Sequence, residues 1–516
     1  MQEPINAADL TFLNMDRPTN LMVVNGLMWF ADEPDWDAVH DVLQERLVDR
    51  YPVISRRPIQ IDGTWMWQDD PDFELDRHIR RETIGGSRDL LAAQQYISDR
   101  ISEPLNKDHP LWEIDILTGL KGEGDEPKAL LLARFHHALA DGIRIVQLVL
   151  SLCDLSDDAA PPKVGRSSSS SGTATRALKV SKQVAGDLAD FASGLGSAAV
   201  AAATQAPAKV ASAAAQVPGK VASAVAQAPG KVTGLGRDAF EEGLDFSFSA
   251  TRLTDAVSGL ASEDNQVVNS WRSASRLALA GRSPELTGEG PPGIEKRVSW
   301  VTDLGVARVK AVGAAHGATI NDVLLAVVSR GLTRYVEEQG REVADDVSWL
   351  VPISLKPIDM NLPTSLGNYF AMVLFPMPLG ITDDDELMGE IRSRMNRTKN
   401  STEALMVYGL QRVVAEAPGP VGVAVTSMVA NKTVGVLTNV PGPRAPMFLA
   451  GTEVTGILGW VPTAADQSLG VCIFSYNGNV SMGITSDAVL LPDPDRLAEL
   501  IKDAFDELAD RTLATA

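Results

Sequence analysis

The chain has 516 residues, 45% of them hydrophobic and 22% charged, enough for two medium domains or three small ones around a large buried core. Its 46 Lys and Arg against 67 Asp and Glu leave a net charge of −21, which argues against a nucleic-acid partner. Two cysteines, Cys153 and Cys472, exclude a disulfide scaffold and a multi-cysteine zinc site and fit a reducing compartment. The opening MQEPINAADL lacks the basic patch and apolar stretch of a signal peptide, and no run of about 18 apolar residues follows. The expectation is a cytoplasmic protein without a spanning helix.

In chain order, the apolar spacing predicts helices over Trp36–Val48 and Arg88–Ile101. ALLLARF (Ala129–Phe135) has strand length, and Ile143–Cys153 reads as a strongly apolar helix. From Asp157 to Gly172 the composition changes to a linker with Pro161-Pro162 and five consecutive serines, Ser167 to Ser171. Thr173–Arg237 is Ala-rich and locally basic, and holds an eleven-residue repeat, KVASAAAQVPG then KVASAVAQAPG. Eleven residues are close to three helical turns, so Lys209, Lys220 and Lys231 would share a face. Pro207, Pro218 and Pro229 break any long helix, which leaves short kinked helices or a disordered spacer. Beyond it, strands are predicted at Arg297–Leu304, Val347–Leu355 and Tyr369–Phe375, and helices at Asn321–Glu338, Asp383–Lys399 and Pro492–Arg511. Asn477-Gly478, between apolar runs in Ser475–Ile484, marks a hairpin. Strands and helices alternate in both halves, so the fold class is α/β or α+β with mixed sheets. Three segments result: 1–156, the linker and insert 157–296, and 297–516.

The strongest chemical signal is ARFHHALADGIRIV. His136 and His137 follow the strand ALLLARF directly, and Asp141-Gly142 opens the apolar helix, so a paired imidazole sits on a loop at a strand end. The chain has no GxSxG elbow, no GxxxxGK[ST] loop and no HExxH, which argues against an elbow hydrolase, a P-loop enzyme and a zincin. GEGPPG (Gly288–Gly293) fits GxGxxG by letter, but no apolar strand precedes it and two prolines fill it. No metal-ligand cluster stands out. One histidine suffices as catalyst when the electrophile arrives activated, as a thioester does: it takes the proton of an alcohol and returns it to the departing thiolate. Plainer roles compete. Asp141 can simply cap the helix that Gly142 begins, and His136 can brace the loop. His40, His78, His109 and His316 are single, which favours surface or packing roles.

HHALADG resembles the HHxxxDG motif of the bacterial wax ester synthase/diacylglycerol acyltransferase family, a motif shared with peptide-synthetase condensation domains and related CoA-dependent acyltransferases. The surroundings narrow the resemblance to the first. Pro110-Leu111-Trp112-Glu113 is similar to its PLWE segment, and Leu10–Gly26 to its N-terminal segment. Asn321-Asp322-Val323 resembles its ND motif. Val351–Leu355 with Gly367-Asn368, Asn439–Pro443 and Ser475–Gly478 resemble later ones. These cover roughly residues 5–155 and 297–510.

The resemblance implies two chloramphenicol-acetyltransferase-like halves around a central tunnel, and transfer of a fatty acyl group from acyl-CoA to diacylglycerol or a long-chain alcohol. It implies His137 as general base, His136 as its support, and Asp141 as architecture holding the loop. Gly142 would allow a close backbone approach, and Asn321 and Asp322 would support the site from the second half. Thr438 and Asn439 are candidate oxyanion donors. No cofactor is expected beyond acyl-CoA as co-substrate. Ile143-Arg144-Ile145 stands where many relatives carry small residues, so Arg144 would narrow a passage or bind a CoA phosphate. The basic insert, 173–237, suits an anionic membrane or lipid-droplet surface, placing the protein in the cytoplasm or peripherally at the inner membrane. Two other readings are a condensation-type enzyme using carrier-bound acyl groups and a non-catalytic lipid-droplet protein.

Overall fold

The computed structural model describes residues 2–85, 89–120, 127–155, 290–354, 362–368, 370–400 and 419–514, with Leu286 and Gly288. The basic repeat segment 173–237, with its expected kinked helices and lipid contact, lies outside the described residues, as do Leu355 and Tyr369 at the ends of two expected strands.

The first half runs β1 (Gln2–Pro4), α1 (Ala7–Met15), β2 (Val23–Phe30), α2 (Trp36–Leu43), β3 (Arg56–Ile61), β4 (Thr64–Asp69), β5 (Ile79–Thr83), α3 (Asp89–Ser102), β6 (Trp112–Thr118), β7 (Ala129–His136) and α4 (Gly142–Leu150). The second runs β8 (Lys296–Gly305), α5 (Val306–Ala315), α6 (Ile320–Glu338), β9 (Asp346–Ser354), β10 (Phe370–Pro378), α7 (Asp384–Asn400), α8 (Gly419–Ala430), β11 (Gly435–Pro441), β12 (Met447–Leu449), β13 (Thr452–Trp460), β14 (Leu469–Tyr476), β15 (Asn479–Asp487) and α9 (Pro494–Leu513). Among the described residues the other predicted elements are present, with shifted ends. The helix expected over Trp36–Val48 changes at Gln44 into a π-helical turn. The one expected to Cys153 stops at Leu150. The strand expected to end at Phe375 continues through Pro376 and Pro378, which a sheet tolerates because β10 is an edge strand.

Among the described residues these strands form two six-stranded mixed sheets, ordered β12-β13-β2-β7-β6-β5 and β10-β9-β11-β14-β15-β8, and a small sheet β1-β4-β3. β5 and β6 are parallel and joined through α3; β11 is parallel to both β9 and β14; the remaining pairs are antiparallel. Strands β12 and β13, from the C-terminal half, complete the sheet of the N-terminal half by pairing with β2. Asn477 (φ 44°) and Gly478 (φ 82°) make the two-residue hairpin turn between β14 and β15.

β7 shows why ALLLARF is continuously apolar. All eight of its residues are buried. Ala129, Leu131, Ala133 and Phe135 face the main core, with Trp112, Val23 and Leu148, while Leu130 and Leu132 face a second cluster under α3 with Ile97 and Trp460. Arg134, fully buried, meets its cross-strand partner Glu113 at 2.7 Å.

Beyond the β13–β2 pairing, further contacts join the halves. The backbone of edge strand β8 is met by polar side chains spaced four residues apart on α3. Gln94 donates to the Val298 carbonyl (2.8 Å), Ser98 Oγ accepts from the Val298 N–H (3.2 Å), and Ser102 Oγ accepts from the Lys296 N–H (2.8 Å). Elsewhere the two large sheets touch backbone to backbone. A Cβ on Gly483 of β15 would lie 2.0 Å from the Gly459 carbonyl oxygen of β13, so only glycine fits there.

Candidate active site

β7 ends at His136, and the next five residues turn the chain into α4. Asp141 is the N-cap of that helix, its carboxylate accepting from the Arg144 N–H at 2.9 Å. Two other segments of this half hold the loop: the His136 N–H donates to the Leu111 carbonyl, just before β6, and the His137 N–H to the Met22 carbonyl (2.7 Å) in the N-terminal segment. From the second half the segment 362–368 closes on it, with Ala140 bridging Gly367 and the Asp141 N–H donating to the Gly367 carbonyl (3.3 Å).

The two imidazoles do different work. His136 is 1% exposed; its Nδ1 accepts from the Ala138 N–H at 3.0 Å, so the ring carries its proton on Nε2, which faces Asp16 Oδ2 at 3.7 Å. Burial pushes the Asp16 carboxyl up, but His136, Lys107 and the Met22 N–H outweigh it and hold it at about 2. His136 braces the loop through the Ala138 N–H and Asp16, and burial lowers its pKa.

His137 is held by both halves. Its Nδ1 lies 2.9 Å from Asn368 Oδ1. The Asn368 amide donates to the His137 carbonyl (2.8 Å) and to Asp9 Oδ1 (2.8 Å), so its oxygen is the atom left for the ring. That leaves the Nε2 lone pair of His137 as the basic position. Phe12 stacks on the ring with centroids 4.0 Å apart, and Phe370 flanks it at 5.5 Å. Burial lowers the pKa of His137 to about 4, so the ring is neutral at pH 7. Burial raises Asp9, 5% exposed, to about 7 against the hydrogen bonds from Asn368 and Asn6.

The remaining expected residues are placed as follows. A Cβ built on Gly142 would meet open space apart from its chain neighbours and its own helix backbone. Asp322 forms a capping box with Thr319 at the start of α6, and Asn321 accepts from Asn439 at 2.8 Å. The buried Thr438 hydroxyl sits beside the Cys472 thiol, its neighbour across β11 and β14. Among the described residues, no hydrogen bond joins these four residues to His137. Arg144, 6% exposed, donates to the Ser365 carbonyl (3.2 Å) and lies 3.9 Å from Asp141.

Asn368, Asp9, Phe12, Asp16 and Phe370 were not singled out by the sequence reading as site residues. A signal existed for three of them: Phe12 and Asp16 lie in the N-terminal segment Leu10–Gly26, and Asn368 in Gly367-Asn368, both noted for their resemblance to family motifs.

Comparison with known proteins gives the family and the fold. The family model described as the wax ester synthase/diacylglycerol acyltransferase catalytic domain matches residues 5–242, and the WS/DGAT C-terminal domain matches 366–509. A probable diacylglycerol O-acyltransferase of Mycobacterium tuberculosis is 25% identical over 98% of this chain and 94% of its own length. The O-acyltransferase WSD of Acinetobacter baylyi is 23% identical over 95% and 93%. Among solved structures, the wax ester synthase/diacylglycerol acyltransferase of Marinobacter aquaeolei superposes with a TM-score of 0.63 at 17% identity, covering 99% of both chains. The first condensation domain of the CDA synthetase gives 0.55 at 13%, covering 99% and 96%. These two likenesses establish the fold.

Proposed function

Since the chain belongs to the wax ester synthase/diacylglycerol acyltransferase family, we propose that it transfers a fatty acyl group from acyl-CoA to diacylglycerol or a long-chain alcohol, with His137 as general base. The observation that carries the assignment is the fixed Nδ1–H of His137, which leaves Nε2 as acceptor. Nε2 takes the proton of the acceptor hydroxyl while that oxygen attacks the thioester carbonyl. The tetrahedral intermediate then expels the thiolate, the C–S bond breaks, and the imidazolium returns its proton to sulfur. A pKa near 4 keeps the base form available at neutral pH and makes the imidazolium a ready donor to the thiolate. The stacked Phe12 face and Asn368 Oδ1 offset part of the cost of the buried charge. His136 braces the loop, and Asp141 caps α4 and ties it to the 362–368 segment.

The test offers labelled palmitoyl-CoA with diacylglycerol and, separately, hexadecanol, to wild type and His137→Ala. Loss of the base is expected to cost about 10²–10⁴-fold in rate. Ester formation at the wild-type rate in the variant would reject His137. Activity with free acyl-CoA also separates this reading from a carrier-dependent condensation enzyme and from a non-catalytic lipid-droplet protein. The two segment boundaries, near 156 and 297, and docking of the basic segment 173–237 on an anionic lipid surface complete the proposal; deletion of Lys209–Lys231 should weaken binding to anionic liposomes.

A further inference from the structure

We infer that Asp9 is a positioning residue for His137: acting through the Asn368 carboxamide, its carboxylate selects which imidazole nitrogen carries the proton. The inference rests on the reading of His137 as the base.

A carboxamide turned over by half a turn exchanges its oxygen and nitrogen, so the partners of Asn368 decide what it presents to His137. Oδ1 faces Nδ1 of the ring at 2.9 Å only while Nδ2 faces two acceptors, the His137 carbonyl and Asp9 Oδ1, each at 2.8 Å. An ionised Asp9 is an acceptor at both oxygens. Its Oδ2 receives the Asn6 amide, and Asn6 cannot turn over, because its own oxygen accepts the Asp9 N–H (2.9 Å) as the N-cap of α1. The Asn6 contact alone would make Asp9 an ordinary acid in a first helical turn. Its Oδ1 instead reaches a residue 359 positions later, whose opposite end touches the imidazole. The ring's own carbonyl also attracts Nδ1–H, so Asp9 shifts the tautomer ratio and does not set it alone.

Asp9→Asn isolates the effect. Asn at this position has one oxygen for two donors. Given to Asn6, it turns an NH2 toward the Asn368 NH2; only the His137 carbonyl then holds the amide as it is, so the flipped amide gains population, presents NH2 to His137 Nδ1, and favours the Nε2–H tautomer, which lacks the lone pair on Nε2.

Nitrogen NMR of the full chain with ring-labelled histidine reads the tautomer directly, His137 being assigned by its absence in His137→Asn. The wild-type ring is expected as Nδ1–H. Asp9→Asn is expected to move it toward Nε2–H and lower kcat about 10- to 100-fold, with KM for acyl-CoA changed less than about twofold. Asn6→Ser, which keeps a cap oxygen but not the amide, is expected to retain Nδ1–H. An Nε2–H wild-type ring, an unchanged ratio in Asp9→Asn, or the same shift in Asn6→Ser would each overturn the inference. Should Asp9→Asn fail to fold, the wild-type protein supplies the perturbation. Acidification protonates Asp9, which is faced by Asn6, Asn368 and the Asp141 carboxylate, and the His137 ratio should follow with a midpoint near 7. A ratio that stays flat from pH 8 to about 5.5 would overturn it equally. None of these spectra needs turnover, so a chain inactive toward acyl-CoA would reject the proposed function and leave the tautomer result standing.

Discussion

Burial of His137 makes folding stability depend on pH in a way that one substitution exposes. The unfolded chain protonates this histidine near its ordinary 6.5, while the folded protein does so only near 4. Above pH 6.5 the ring is neutral in both states and contributes no pH dependence. As the pH falls below 6.5, the unfolded state binds a proton that the folded state refuses, so stability drops until about pH 4. The gap, at about 1.4 kcal/mol per pH unit, is worth about 3 kcal/mol in full and about 2 kcal/mol between pH 7.5 and 5.0. His137→Asn removes the titration yet keeps an N–H near the position of Nδ1 for Asn368. It also loses the stack on Phe12, but that loss is the same at both pH values and cancels in the difference. Asp9 has the opposite sign, its pKa being raised on folding, and it too is common to both proteins. Urea denaturation at pH 7.5 and 5.0 should therefore show wild type losing about 2 kcal/mol more than His137→Asn over this interval. Equal losses would mean that the ring protonates as easily folded as unfolded, and the buried, neutral base would be refuted.

Three further outcomes are expected. The acid limb of kcat/KM should lie near pH 7, rising as Asp9 ionises beside Asn6, Asn368 and Asp141, and Asp9→Asn should move it toward the His137 value near 4, as pH–rate profiles would show. Ser98→Val leaves the buried Val298 N–H without its acceptor and should lower unfolding free energy by about 1–3 kcal/mol in urea, whereas an exposed serine on α3 would show no change. Gly483→Ala places a methyl 2.0 Å from the Gly459 carbonyl, with backbone on both sides; a loss of about 3 kcal/mol or more is expected, and a variant as stable as wild type would show that the sheets do not touch there.

Local rules made much of this protein readable from its residues. The apolar run of β7 announced a strand, Asn477-Gly478 announced its turn through left-handed backbone, and Asp141 announced a helix cap. Each depends on neighbours a few residues apart, where periodicity and side-chain chemistry act directly. The pair His136-His137 was legible for the same reason: a strand end fixes where its last side chain and the next one go, although the strand takes in His136, which had been expected to follow it. Asp62-Gly63, the turn between β3 and β4, carried the same kind of local signal and went unused. What the residues alone left open are relations between distant segments. Asn368 stands 231 positions from His137 and Asp9 lies in the first helix, so their hydrogen bonds exist only once both halves have closed over the loop. The candidate oxyanion donors Thr438 and Asn439 stood at a plausible strand end, but their side chains face Cys472 and Asn321 because sheet register, a long-range property, sets that orientation. Which nitrogen of His137 is basic, and how far its pKa falls, follow from desolvation and hydrogen-bond partners that tertiary packing alone supplies.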